Sequence, residues 1–162
     1  MSEEAKKEKQ LIIDEIKGKM EKAKSAVIID YIGISVPEAD AMRKRLREAG
    51  VDYTVYKNTL AKRAIEGTGC ESLAQVLEGP SAFAFSYDDA TLPARVLNGI
   101  IKDYKKMAFK AGIVEGVYYD ADGIRAVATI PSREELIAKF MGSVQSPVSK
   151  MVRTFQAIAD AK

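Results

Sequence analysis

Apolar positions along the first 130 residues recur at two alternating periods, one near 3.6 and one near 2, and the switches between them mark the elements. Leu11, Ile12, Ile16 and Met20 stand at helical spacing among lysines and glutamates, which predicts an amphipathic helix over residues 4–24. The run AVIIDYIG predicts a buried strand that ends at Gly33. In Ser35-Val36-Pro37-Glu38 the serine caps a helix while the glutamate reaches back to it, and Pro37 falls in the first turn, where its missing N–H costs little. Gly50 ends that helix. VDYTVYK alternates as a second strand, and Asn58 is expected to cap the following helix, TLAKRAIE, which stops at Gly67.

A short helical stretch, the pair Gly79-Pro80 and the strand SAFAFSY come next, with Asp88-Asp89 marking a turn. LPARVLNGIIKDYKK has helical periodicity, MAFKAGIVEG and VYY read as strands, and Gly123 to Ala128 form a short helix before Pro131. Strands alternating with helices predict a sheet covered by helices, an α/β sandwich over residues 1–131, although the pattern does not yield the strand order.

The segment 132–162 follows a different rule. Pro131-Ser132-Arg133-Glu134-Glu135 is a second capping box, and what it opens has one almost wholly apolar face. Ile137, Phe140, Met141 and Val144, then Val148, Met151, Val152, Phe155 and Ile158, project within an arc of roughly 120° at about 100° per residue. The pattern repeats after 11 residues, so that Ile137-Ala-Lys-Phe-Met answers Val148-Ser-Lys-Met-Val and Val144 answers Phe155. Eleven residues is close to three helical turns, and both copies present the same face. A helix over 132–160 is a rod of about 43 Å at about 1.5 Å per residue, longer than a domain of this size is wide, so it is expected to protrude and its apolar face to need a partner. Gly142-Ser143 and Ser146-Pro147 are candidate kinks between the two copies.

Charge divides the first domain. The chain carries a net +2, but residues 41–63 hold seven basic side chains against two acidic ones, whereas residues 64–131 hold six against nine. A polyanion-binding face therefore belongs to the first third. Arg43 and Arg47 lie four apart on one helix, with Lys62 and Arg63 on the next. Lys57 and Asn58 occupy a strand-to-helix junction where side chains and free helix N–H groups can meet phosphates together. Tyr31 and Gly33, at the end of the first strand, offer a surface for stacking and close backbone approach, though Tyr31 is equally suited to a core position with its hydroxyl outside.

Chemistry of other kinds finds little to work with. Histidine is absent and Cys70 is the single cysteine, which removes internal disulfides, cysteine clusters and the commonest general base. Gly67-Thr68-Gly69-Cys70 lacks the third glycine of a dinucleotide fingerprint and the Gly-Lys-Ser/Thr ending of a phosphate loop. Asp88-Asp89 and Asp120-Ala-Asp122 are spaced for turns rather than for a calcium loop. No metal, cofactor or catalytic constellation is expected, which weakens the reading as a small α/β enzyme with a dimerisation tail. Neither a membrane span nor a secretory leader is visible, so a cytoplasmic protein is expected.

Taken in order, Gly33-Ile-Ser-Val36, Met42-Arg-Lys-Arg-Leu-Arg-Glu-Ala-Gly50, Val55-Tyr-Lys-Asn-Thr-Leu60, Lys62-Arg63-Ala64, Gly79-Pro80 and Met151-Val-Arg-Thr-Phe155 resemble the bacterial stalk-base proteins of the large ribosomal subunit, number ten in that series. The resemblance spans essentially the whole chain. It implies a structural ribosomal protein that binds large-subunit rRNA at the base of the stalk, beside a neighbouring ribosomal protein. Its C-terminal helix would carry dimers of the acidic stalk protein, which recruit translational GTPases. Position by position, it assigns rRNA contact to Tyr31, Gly33, Arg43, Arg47, Lys57, Asn58, Lys62 and Arg63, with Tyr31 the most variable in the family. It assigns dimer docking to the apolar face between Ile137 and Ile158, and two repeat copies with an end at Lys162 favour two dimers. Some relatives, bound to the stalk partner, also repress their own mRNA leader. An assembly factor sharing only the first domain would lack the repeated helix.

Overall fold

The computed structural model describes the backbone of residues 3–66 and 71–160 and, within these, the side chains of all but residues 3–6, 71, 148, 152, 155 and 158–160. The chain divides into two units, Met1–Ile130 and Pro131–Lys162.

In the first unit the order is α1 (Glu3–Lys22), β1 (Ser25–Asp30), α2 (Val36–Glu48), β2 (Asp52–Val55), α3 (Asn58–Ile65), a 3-10 turn (Glu71–Gln75), β3 (Ala82–Ser86), α4 (Leu92–Tyr104), β4 (Ala108–Val114), β5 (Val117–Asp120) and α5 (Ala121–Val127). The five strands form one sheet in the order β2-β3-β1-β4-β5, every neighbouring pair antiparallel. Glu115 and Gly116, both at positive φ (50° and 81°), turn β4 directly into β5, the backbone pattern of a two-residue primed hairpin.

Alternation along the central strand sends side chains to opposite faces. Val27 and Ile29 of β1 join Met42 and Leu46 of α2, Leu97 and Ile100 of α4, and Ile124 of α5. Ala26 and Ile28 instead join Ala61 and Ile65 of α3, with Leu73, Leu77, Phe83 and Phe85. Phe83 and Phe85 are fully buried and stack at 6.0 Å, each contributing roughly 1.5–3 kcal/mol by burial alone. A third cluster of Ile13, Ile16 and Ala64 seats α1 on α3. The helices therefore cover both faces, and the α/β sandwich expected from the alternation is the observed architecture.

Two features depart from the local reading. In α1 the buried positions are Ile13 and Ile16, while Leu11 is 69% exposed, because the line of contact with α3 follows residues 13, 16 and 20. Asn58 is not the cap of α3 but its first residue. Lys57 takes the cap position with extended backbone (φ −71°, ψ 125°), and its carbonyl accepts from Leu60 and Ala61. The aspartates read as turn residues do behave so: Asp89 accepts from the Thr91 N–H at 2.9 Å, and Asp120 caps α5 through the Gly123 N–H at 2.8 Å.

The second unit is one helix, α6 (Arg133–Asp160), assigned as helix through Pro147 without a break. Ser132 receives the Glu135 N–H at 3.3 Å, the serine half of the expected capping box.

Candidate RNA-binding and protein-docking surfaces

The basic stretch 41–63 is contiguous in sequence but divided in space. Arg43 and Arg47 ride on α2, on one face of the sheet; Lys57 caps α3 and Lys62 and Arg63 lie on it, on the other; the edge strand β2 lies between. Arg43, Arg47, Lys57 and Arg63 are exposed and Lys62 is half-buried. Of the seven cations, Arg45 is held by Asp103 of α4 at 2.8 Å. The other six, Arg43, Lys44, Arg47, Lys57, Lys62 and Arg63, make no ion pair with any described residue. An unmatched cation cluster is the electrostatic requirement for phosphate binding.

On the α2 side Arg43, Arg47 and Tyr53, with Val51 and Asp52, line a depression of about 230 Å³. Arg43 and Tyr53 also border an adjoining one of about 200 Å³, which Tyr31 closes at the end of β1. Burial pushes the Tyr53 phenol up to about 12, against the pull of the Arg43 guanidinium, so it stays neutral. Gly33 is exposed at φ 83°, in the turn between β1 and α2. Sequence reasoning missed Tyr53, although the alternation of VDYTVYK puts Tyr53 and Val55 on one face, and their partners Ala84 and Ala82 place that face towards α2.

On the α3 side a cleft of about 570 Å³ is lined by Lys57 and Arg63 together with Lys9 and Gln10 of α1. No sequence signal distinguishes Lys9 among the many charges of α1; only the packing of Ile13 and Ile16 against α3 brings it there. Asn58 belongs to the scaffold of this side. Its amide donates to the Gly79 carbonyl at 2.6 Å. The same loop is held by Lys110, whose ammonium donates to the carbonyls of Glu78 and Pro80 and to Ser81 Oγ. A bulge in β4, where Ile28 faces Ala111 but Ile29 faces Phe109, leaves Lys110 out of the pairing and frees it for that contact.

At the turn before α2, the Glu38 carboxylate accepts from the Ser35 N–H at 2.8 Å and pairs with Lys106 at 3.0 Å. The Ser35 amide first, and then Lys106, hold its pKa at about 2.

On α6, Ile137, Phe140, Met141, Val144 and Met151 are all at least half exposed, Phe140 at 70% and Met151 at 61%. Val148, Val152, Phe155 and Ile158 continue the pattern along the helix, but their side chains lie outside the described residues, as does the whole Gly67–Cys70 loop. Among the described residues no group of carboxylate or cysteine side chains is placed to hold a metal ion, and no helix is long and apolar enough to cross a membrane.

Comparison with known families accounts for both parts of the chain. Residues 4–102 match the family model described as ribosomal protein L10, and residues 130–162 match the ribosomal protein uL10 C-terminal region. The chain belongs to the ribosomal protein uL10 family. Large ribosomal subunit protein uL10 of Clostridium tetani is 47% identical over 154 residues, covering 95% of this chain and 90% of that protein. The uL10 protein of Clostridioides difficile is 48% identical over 91% of the chain and 89% of its own length, and that of Bacillus cereus 42% identical over 95% and 93%. As a uL10 protein the chain is a structural component of the large ribosomal subunit, cytoplasmic by virtue of that place, and not an enzyme.

Proposed function

We propose that this uL10 protein joins two kinds of partner on the ribosome: it binds large-subunit rRNA at the stalk base through the cations of α2 and α3, and it carries dimers of the acidic stalk protein on α6. The exposed apolar face of α6, repeated after 11 residues, carries the reading. An apolar stripe with Phe140 and Met151 open to solvent is stable on a ribosome only when a partner covers it. Two copies of the pattern give two docking segments and so two dimers, Ile137 to Val144 in the first and Val148 to Ile158 in the second. Several flexible arms anchored on one helix raise the local concentration of the GTPases they recruit.

For the RNA partner the support is electrostatic. Arg43, Arg47, Lys57, Lys62 and Arg63 are phosphate contacts that have no ion pair with a described residue, the nearby Asp52 being held by Lys19 at 2.8 Å; Gly33 lets the backbone come close, and Tyr31 supplies an aromatic surface. Asn58 shapes the Lys57 junction while its amide stays on Gly79. A neighbouring stalk-base protein shares the rRNA site, and repression of the chain's own messenger would use the same RNA surface on a similar RNA shape.

Native mass spectrometry of the chain mixed with the acidic stalk protein tests the scaffold. Two dimers on the full chain, one on a chain ending at Ser146 and none on a chain ending at Pro131 are expected; no complex with the full chain refutes it.

A further inference from the structure

The depression beside β2 is unlike an ordinary surface dimple in three respects. Its lining is aromatic and apolar, with Tyr31, Tyr53 and the buried Met42, and apolar groups stay open around it, with Val36 at 76% and Val55 at 42% exposure. Neither Tyr31 nor Tyr53 has a side-chain hydrogen bond to a described residue, so both phenol hydroxyls are free to bond a ligand in place of solvent. Its one cation, Arg43, is shared with the second depression, where Arg47 also stands and where Asp52 is held by Lys19. About 200 Å³ is room for a single planar heterocycle.

We infer that this slot receives one unstacked nucleobase of the bound RNA against Tyr31 and Tyr53, with Arg43 and Arg47 on the adjoining phosphates. The inference rests on the RNA-binding reading and sharpens it from phosphate contact to recognition of an extruded base. RNA is read in sequence mainly where bases leave the helix and meet aromatic or apolar side chains, with hydrogen bonds to their edges. The slot supplies both on one side of the sheet. The opposite cleft, with Lys9, Lys57 and Arg63, supplies charge but no aromatic ring.

The experiment is a titration of the full chain with the stalk-base fragment of large-subunit rRNA at several salt concentrations, for Tyr53→Leu, Tyr31→Leu, Tyr53→Phe and the pair Arg43→Ala with Arg47→Ala. Each leucine variant is expected to bind about tenfold more weakly or worse with the salt slope unchanged, since stacking is removed while the number of released counterions stays the same. Tyr53→Phe should retain most of the affinity. The arginine pair should flatten the slope. Wild-type affinity in both leucine variants overturns the base slot, including the case in which an apolar side chain of a neighbouring protein fills it; so does a loss in Tyr53→Phe equal to that in Tyr53→Leu. A failure of the RNA reading is separate, because then the unmodified chain binds the fragment no better than an unrelated RNA and the arginine pair changes nothing. Melting curves of both leucine variants separate a folding defect from lost stacking, since both rings also pack against the core.

Discussion

The side-chain amide of Asn58 meets the carbonyl oxygen of Gly79 at 2.6 Å, across 21 residues of sequence. That contact ties the start of α3 to the loop before β3, and Lys110 ties the same loop to β4. Asn58→Ala removes one neutral hydrogen bond, worth about 1 kcal/mol, while Lys110→Met leaves carbonyl acceptors without their charged donor and costs about 2–3 kcal/mol. Because both act on residues 78–81, the double variant should depart from additivity by about 0.5 kcal/mol or more in urea denaturation.

Gly112 lies under α5. A Cβ there would come within 2.8 Å of Ile124 Cδ1 and 2.9 Å of the Ala26 carbonyl oxygen, and the latter belongs to the central strand. Gly112→Ala is expected to destabilise the first unit by about 1–3 kcal/mol through overpacking, measurable as a lowered urea midpoint at unchanged slope.

Glu38 makes the turn before α2 sensitive to acid. Its folded pKa of about 2 is below the ordinary 4.5, so its contribution to stability is complete above about 4.5 and is lost as pH falls towards 2. Thermal melts of the wild type and Glu38→Gln should differ at neutral pH and converge near pH 2; a constant difference across that window contradicts the assignment.

Lys57→Ala combined with Arg47→Ala should weaken rRNA binding and reduce the slope of log K against log salt by about 0.9 for each phosphate that is no longer neutralised. Neither side chain has an ion pair with a described residue, so the melting temperature should hardly move. An unchanged slope refutes both phosphate assignments.

Phe140→Asp puts a charge into the first docking segment at a position already open to solvent, so the helix itself should survive. The count of stalk dimers seen by native mass spectrometry should fall from two to one, with RNA affinity intact. Retention of two dimers refutes the assignment of Phe140 to docking.

How far the sequence led depended on whether a feature was local. Helices and strands were legible because periodicity is carried by neighbouring residues, and the apolar stripe of α6 was legible for the same reason. Leu11 misled because the helical arc of α1 admits either Leu11 or Ile13, and only the partner α3 chooses between them. Asn58 misled because its side chain found an acceptor 21 residues away instead of its own helix. Lys110 gave no signal, since the bulge that frees it exists only in the pairing of β4 with β1. Tyr53 had its signal in the strand alternation, but its neighbourhood with Tyr31 and Arg43 is created by the turn from β1 into α2.

The division of the basic stretch by the sheet has a geometric consequence. The cations of α2 and those of α3 back onto opposite faces of one sheet, separated by the edge strand β2. A partner that meets both sets therefore has to reach across the β2 edge rather than lie on one face of the sheet.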